Sequence, residues 1–423
     1  MPGLRRQSTR LTPISTQSDH PGDWRAAVRE LAAFERPSAS DGERRAAQSI
    51  AARLEALGCR ASVEQERAHG GYWWPIGLIN GLTVGAGVLA LGGGRGGAWR
   101  RLIAASLAGA GAGALWDDLG HGRRWFRRAV LPHRPTWNVV AETGDPAGER
   151  TTVLIAHHDA AHSGLVFHPL LPRIPLKVAP RWHAKSGRSV PLMYTVWLGP
   201  VLVCAGAALG ARRLLAAGAT LAAGAAAAMI DIGLRGSVPG ANDNLSAVGV
   251  LIALAAALRE RPLEGVRVLL VSTGSEESFS EGMQAFGRRH FATLDPDRTE
   301  MICLECLGGP TLIVVEGEGM LRMRDYPPAM REALAHAAAG AGIPIVRGLR
   351  TTAATDAIIP LRAGYSVATL ASVDETKLPM NYHWPTDVPD ALHWGTIDEA
   401  IAVCERFLRT RAGGEPSPPP ADN

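Results

Sequence analysis

Val266-Arg267-Val268-Leu269-Leu270-Val271-Ser272-Thr273 runs straight into Gly274-Ser275-Glu276-Glu277. The apolar, largely β-branched stretch reads as a buried strand, and Gly-Ser stops it with two acids at its C-terminal end. The pattern repeats twice. Thr151 to Ala156 ends in His157-His158-Asp159, and Met301 to Leu304 ends in Glu305, ahead of the turn at Gly308-Gly309-Pro310. Open α/β sheets bind ligands beyond the carboxyl ends of their strands, so three such ends predict one shared crevice. The fold expected is α/β with a mostly parallel sheet, its strands near Trp137, Val153, Val266, Met301, Thr311 and Val367. Helices near Asn244, Ser280, Pro327 and Thr396 would cover its faces.

Acids and imidazoles gathered at one crevice are costly unless a cation joins them. His157, Asp159, Asp243, Glu276, Glu277, Glu305 and His383 all stand at the edges of apolar stretches, a set that suits two divalent metals. Asp243 arrives in Gly240-Ala241-Asn242-Asp243-Asn244, just before an apolar periodic helix. Two readings apply to it, helix N-cap or metal ligand. His158, His162, His168 and His183 lack such context and are read as surface or supporting residues.

The His-x-Asp of His157 and Asp159, the Gly240 to Asn244 motif, the Glu276-Glu277 pair and Tyr382-His383 together resemble the co-catalytic zinc exopeptidases, among them bacterial leucyl aminopeptidases and glutamate carboxypeptidase. The resemblance implies a three-layer zinc-exopeptidase-like domain and two Zn ions, with Co or Mn as substitutes in such a nitrogen and oxygen site. It implies one metal on His157, Asp243 and Glu305, and another on Asp243, Glu277 and His383. Two cations about 3.5–4 Å apart can acidify a shared water and polarise a carbonyl. Glu276 would then be general base and acid, Asp159 would orient the His157 imidazole, and Tyr382 would donate to the oxyanion. The chain departs from the family at Cys303-Leu304-Glu305, where Asn-x-Asp is usual. Glutaminyl cyclases share the architecture but dispense with the first-metal His, so His157 speaks against that activity.

At 423 residues, 46% hydrophobic and 20% charged, the chain has the composition of a folded protein longer than one average domain. A net charge of +4, with no basic motif interleaved with aromatics, gives no case for nucleic acid. Five irregularly spaced cysteines offer neither a disulfide framework nor a metal knuckle. Met1 to Gly22 is polar, without the apolar run of a secretory signal, and Gly413 to Asn423 is rich in Pro and Gly; both are expected to be disordered tails. Ser40-Asp41-Gly42-Glu43 reads as a capping box for a helix through Leu57 that Gly58 ends.

Inserted in this domain are Ile76 to Gly94 and Leu102 to Trp116, uncharged and apolar, joined by a turn with Arg95, Arg100 and Arg101. Pro191 to Ala211 and Leu214 to Ile230 repeat the arrangement around Arg212-Arg213. Each approaches the length that spans a bilayer, and Tyr72-Trp73-Trp74, Trp99, Trp116 and Tyr194 suit an interfacial belt. Gly81 with Gly85, and Gly109 with Gly113, suggest close helix packing. The expected layout is two transmembrane hairpins, 72–128 and 191–230, within a catalytic domain assembled from 23–71, 129–190 and 231–412. Arg123, Arg124, Arg127, Arg128, Arg173, Lys177, Arg181, Lys185 and Arg188 on the domain side point to a cytoplasmic catalytic domain.

These readings together predict a membrane-anchored, zinc-dependent exopeptidase acting on short peptides, more in keeping with an aminopeptidase. The alternatives are a carboxypeptidase or amidohydrolase with the same metal pair, or an inactive membrane receptor or scaffold. The second hairpin enters the loop just after His157 and Asp159, which would bring the bilayer close to the mouth of the site.

Overall fold

A computed structural model of the chain describes residues 20–92 and 96–413. Residues 1–19, 93–95 and 414–423, which hold parts of the expected tails, the end of the first apolar segment and Arg95 of the first turn, lie outside them.

The chain opens with α1 (Trp24–Ala32) and α2 (Asp41–Ala56), each begun by a side-chain cap: Asp23 accepts from the Ala26 amide, Ser40 from that of Glu43. The capping box closes differently from the sequence expectation. Glu43 reaches the Ala39 amide rather than that of Ser40. Gly58, at φ +88°, ends the turn after α2, and β1 (Arg60–Ala68) follows, a strand the sequence reading did not identify. Its charged, alternating residues form an edge, where one side of a strand meets water.

Next come α3 (Trp73–Leu91), α4 (Gly97–Leu119) and the short α5 (Trp125–Val130). β2 (Arg134–Gly144) and β3 (Arg150–His157) return to the sheet. Two short helices, α6 (Ile174–Val178) and α7 (Pro180–Lys185), cross the surface before α8 (Leu192–Leu209) and α9 (Arg212–Leu234). The remaining chain is α10 (Ser246–Glu260), β4 (Val266–Thr273), α11 (Glu281–His290), β5 (Thr299–Glu305) and β6 (Thr311–Val314). It continues through β7 (Gly317–Glu318), β8 (Arg324–Asp325), α12 (Pro328–Gly340), β9 (Arg350–Thr351), α13 (Ile358–Arg362), β10 (Ser366–Val373) and α14 (Trp394–Ala412).

Among the described residues the main sheet runs β1-β2-β4-β3-β5-β10-β6. Its centre, β4-β3-β5-β10, is parallel, and antiparallel pairs flank it on both sides. Register then sets the site. His157 pairs with Thr273, Ile155 with Cys303, and Ala371 with Glu305. The ends of β3, β4 and β5 therefore finish at one level, and the polar residues that follow them share one rim.

The four long helices α3, α4, α8 and α9 pack on one another as a separate layer. Three of them are apolar enough by length and composition to cross a membrane: α3, α8 and α9. α4 falls short because Arg100 and Arg101 lie near one end and Asp117 and Asp118 near the other. The helix through α10 also qualifies by composition, yet 89% of it is buried in the α/β core. The second hairpin extends further than expected, since α9 continues to Leu234.

The packing glycines are not the expected ones. A Cβ on Gly81, Gly85 or Gly113 would meet nothing within 4 Å, and one on Gly109 would lie 3.3 Å from Cys204 Sγ. The close approaches are at Gly206 and Gly218, where a Cβ would stand 2.7 Å from the backbone nitrogens of Leu215 and Val203, and at Gly199, 2.9 Å from that of Ala222. Spacing of small residues shows which face is small, whereas the neighbouring helix decides which face is used.

Candidate metal centre

β3 delivers His157 and Asp159, the turn after β4 delivers Glu276 and Glu277, and β5 delivers Glu305. Asp243 comes from the turn ahead of α10 and His383 from the loop after β10. Asp243 does not cap α10, since that helix begins at Ser246 and the Ser246 hydroxyl bonds back to the Asn242 carbonyl. Its carboxylate instead lies between two imidazoles. Oδ1 is 3.2 Å from His157 Nε2 and Oδ2 is 3.2 Å from His383 Nε2. His157 Nε2 also lies 3.6 Å from Glu305 Oε1, and His383 Nε2 lies 3.1 Å from Glu277 Oε2.

The donor set fits cations on a physical criterion. Buried His157 Nε2 and Glu277 Oε1 have no hydrogen-bond partner of sound geometry among the described residues, an expensive state for buried polar atoms. His157 Nδ1 faces the Asp159 carbonyl at 3.1 Å, which leaves the Nε2 lone pair directed at the shared centre when Nδ1 carries the proton. One oxygen or nitrogen from each of His157, Asp243 and Glu277 lies within 4.8 Å of the others, as do donors of Asp243, Glu305 and Cys306. Four carboxylates face two imidazoles here, and their titration shows the strain. Burial pushes Glu276 well above the usual carboxylate range, with the charges of Asp356, Glu277 and Glu305 adding to it. Burial would raise Asp243 too, but the two imidazoles 3.2 Å from its oxygens override that and hold it well below the range. Burial would lower His383, yet Glu277 and Asp243 push it up to about 10.

Asp159 acts more widely than its sequence context suggests. Its Oδ1 is 3.4 Å from His157 Nδ1, but its two oxygens also accept the backbone amides of Glu276 and Glu277, at 3.0 and 3.1 Å, and the Ser38 hydroxyl at 2.6 Å. One carboxylate thus ties the β3 end to the loop after β4. Tyr382 lies ring on ring with His383, centroids 3.8 Å apart, and Phe167 meets the His383 ring edge-on at 4.6 Å. A cleft opens above the acids, lined by Tyr72, Phe167, Met193, Phe279, Met320 and Tyr382 among others. Met193 belongs to α8, and Tyr72 immediately precedes α3, so the helical layer supplies part of its wall.

The holding roles of the residues around this arrangement were missed at the level of sequence. Asp387 accepts the amides of Asn242 and Asp243, at 2.7 and 3.1 Å. Fully buried Arg36 donates to the carbonyls of His158, Pro239 and Gly240. Glu43 bonds to Thr136, the Trp137 amide and Ser275. Asn244, joined to Asp243 through a cis peptide, accepts from the Cys306 amide and donates to the Leu304 carbonyl. Buried Asp356 takes the Thr273 hydroxyl behind the site. Each bonds a segment far along the chain, and the cap motif around Glu43 and the Gly240 to Asn244 motif were the local marks. His158, expected at the surface or in support, is fully buried against Ser272, and burial lowers its pKa to about 3.

Residues 227–408 match the profile of Peptidase family M28. Asp243, Glu276, Glu277, Glu305 and His383 fall inside it, while His157 and Asp159 lie before it. No curated protein matches by sequence. Among solved structures, the chain is similar to an aminopeptidase from Aneurinibacillus sp. strain AM-1, with a TM-score of 0.51, 14% identity and 93% of each chain covered. It is similar to the zinc aminopeptidase BSAP from Bacillus subtilis, with a TM-score of 0.52, 14% identity and 93% and 94% covered. A Fimbriiglobus ruber glutaminyl cyclase gives a TM-score of 0.52 at 12% identity, with 96% and 99% covered. The fold is that of the α/β zinc exopeptidases, with a mixed central sheet.

Proposed function

We propose that the chain is a membrane-seated metallo-exopeptidase, of aminopeptidase type, that hydrolyses the terminal bond of short peptides. One observation carries the reading: the two oxygens of Asp243 each stand 3.2 Å from a different imidazole, His157 on one side and His383 on the other. His157, Asp243 and Glu305 would hold one zinc, and Asp243, Glu277 and His383 a second. Bound there, the pair supplies Lewis-acid polarisation of an amide carbonyl and a water acidic enough to attack it near neutral pH.

The protein's own groups do the rest. Glu276 lines the cleft and lies 3.8 Å from His157, placed to take the proton of the attacking water and return it to the departing amine. Asp159 fixes the amides of Glu276 and Glu277, so base and ligand keep their spacing. Tyr382, stacked on His383 at the cleft wall, would donate its hydroxyl to the developing oxyanion. Apolar α3, α8 and α9, with α4, seat the molecule in a bilayer, the catalytic domain on the cytoplasmic side.

A carboxypeptidase or amidohydrolase would use the same centre, and the cyclase fold is equally close in TM-score. His157 among the acids favours hydrolysis, since it completes a donor set for a second cation. The deciding experiment offers the purified chain terminal amino-acid amides, blocked peptides and Gln-initiated peptides, with and without a chelator. Release of free amino acid that the chelator abolishes is the expected result. Glu276→Gln should keep its zinc and lose roughly 10²–10⁴-fold in turnover; unchanged turnover would falsify the base assignment.

A further inference from the structure

Between Asp159 and Asp231 the chain contains no Asp or Glu, and its connection from β3 to α8 holds Arg173, Lys177, Arg181, Lys185 and Arg188. The first four recur every fourth residue, and each of the first three is followed by an apolar one: Ile174, Val178 and Trp182. In the folded chain that register is displayed rather than buried. Val178 is 75% exposed, Trp182 60% and Ile174 50%, with Leu165, Leu170 and Leu171 exposed beside them. All four of the regularly spaced basic residues are exposed too. Holding large apolar side chains in water is unfavourable, and a patch of them ringed by one sign of charge marks a docking face.

We propose that residues 165–185 form an interfacial element that seats on an anionic lipid surface at the mouth of the catalytic cleft. The inference rests on the bilayer seating of the helical layer proposed above. Charge selects the occupant: apolar side chains enter the headgroup boundary while adjacent Lys and Arg side chains meet lipid phosphates. Position agrees. The segment starts where the Leu165 amide is held by Asp231 near the end of α9, and it ends just before α8 begins. Half-exposed Trp74, Trp116 and Tyr194, at the domain-side ends of α3, α4 and α8, mark the same level as an aromatic belt. The segment is also joined to the chemistry, since Phe167 lies against His383 and His168 against Trp384. One acid answers it from outside, Glu375, 3.5 Å from Arg173 and itself exposed. A substrate or product anchored in the same leaflet would then meet the cleft at the level of the headgroups.

The test places the full-length chain in vesicles of phosphatidylcholine, alone or mixed with phosphatidylglycerol, some with brominated acyl chains. Quenching of the native protein minus that of Trp182→Phe isolates Trp182 from the other tryptophans. A bromine-quenched component present with phosphatidylglycerol, and abolished in Lys177→Glu/Arg181→Glu/Lys185→Glu, is the expected result. Because all these side chains are exposed, the variants should keep the native thermal transition. A Trp182 component that aqueous iodide quenches equally in both lipids overturns the proposal and leaves the face to a protein partner. Alkaline carbonate extraction reads the membrane seating separately. A chain that washes free loses that seating, and co-flotation of the freed chain with phosphatidylglycerol vesicles then decides the segment on the same variants.

Discussion

Asp243 turns one oxygen toward each imidazole, and the amides of Asn242 and Asp243 are held by Asp387, a residue distant in sequence. Asp243→Asn should therefore lose both metals at once. Native protein should gain thermal stability on adding zinc, about 2.7 kcal/mol at a hundredfold excess over Kd, while the variant gains none. Differential scanning of the two with and without zinc checks this without any substrate. A second buried acid, Glu281, is shifted in the same direction as Asp243 and opposite to Glu276. Burial would raise it, but hydrogen bonds from His69 and Ser278 and the charges of Arg127 and Arg124 hold it well below the usual carboxylate range. A depressed carboxyl contributes stability above its unfolded pKa of about 4.3 and loses it as pH falls toward the folded value. Glu281→Gln, which leaves both guanidiniums short of an anion, should cost about 3–5 kcal/mol at pH 7. The gap in melting temperature between variant and native should narrow below pH ~4; a gap independent of pH would sink the argument. The acids of the candidate site were legible in the sequence because they stand at the edges of apolar runs. Glu281 was not, since its partners are His69, Arg124 and Arg127.

That same ion cluster joins two elements. Arg127 of α5, with no exposed surface, holds Asp118 of α4 at 2.9 Å and donates to the Ser278 carbonyl at 2.6 Å. Arg124 reaches the Phe279 carbonyl. The end of an apolar-layer helix is thereby fixed to the loop that carries Glu276 and Glu277. Within the layer, α8 and α9 meet backbone to backbone at Gly199, Gly206 and Gly218. Gly218→Val should cost about 1–3 kcal/mol through overpacking. Gly85→Val, where a Cβ meets nothing, should be near neutral. Unfolding both in detergent micelles separates the contact glycines from those merely spaced like them; equal losses would count against this packing. Strand ends were readable one element at a time, because the tract Val266 to Thr273 is apolar until its final polar residues. Edge strand β1, polar and charged, gave no such signal.

For the whole molecule, the apolar layer and the α/β domain meet around the cleft, and basic residues near the apolar ends are more numerous on the domain side than in the turns at Arg100-Arg101 and Arg212-Arg213. A reporter fused after the C-terminus should be active only in the cytoplasm, and activity confined to the opposite side would reverse the orientation. The order of chemistry-bearing residues, the parallel strands that carry them and the presence of long apolar helices were all determined by sequence alone, because hydropathy and turn residues are local properties. Tertiary structure decided the rest. It placed the apolar helix after Asp243 in the core and left α3, α8 and α9 partly open, although composition scores all four alike. It chose which glycines touch, and it brought Arg36, Glu43, Asp356 and Asp387 to the centre. Burial and hydrogen bonding depend on which distant segments become neighbours, and that information exists only once the chain has folded.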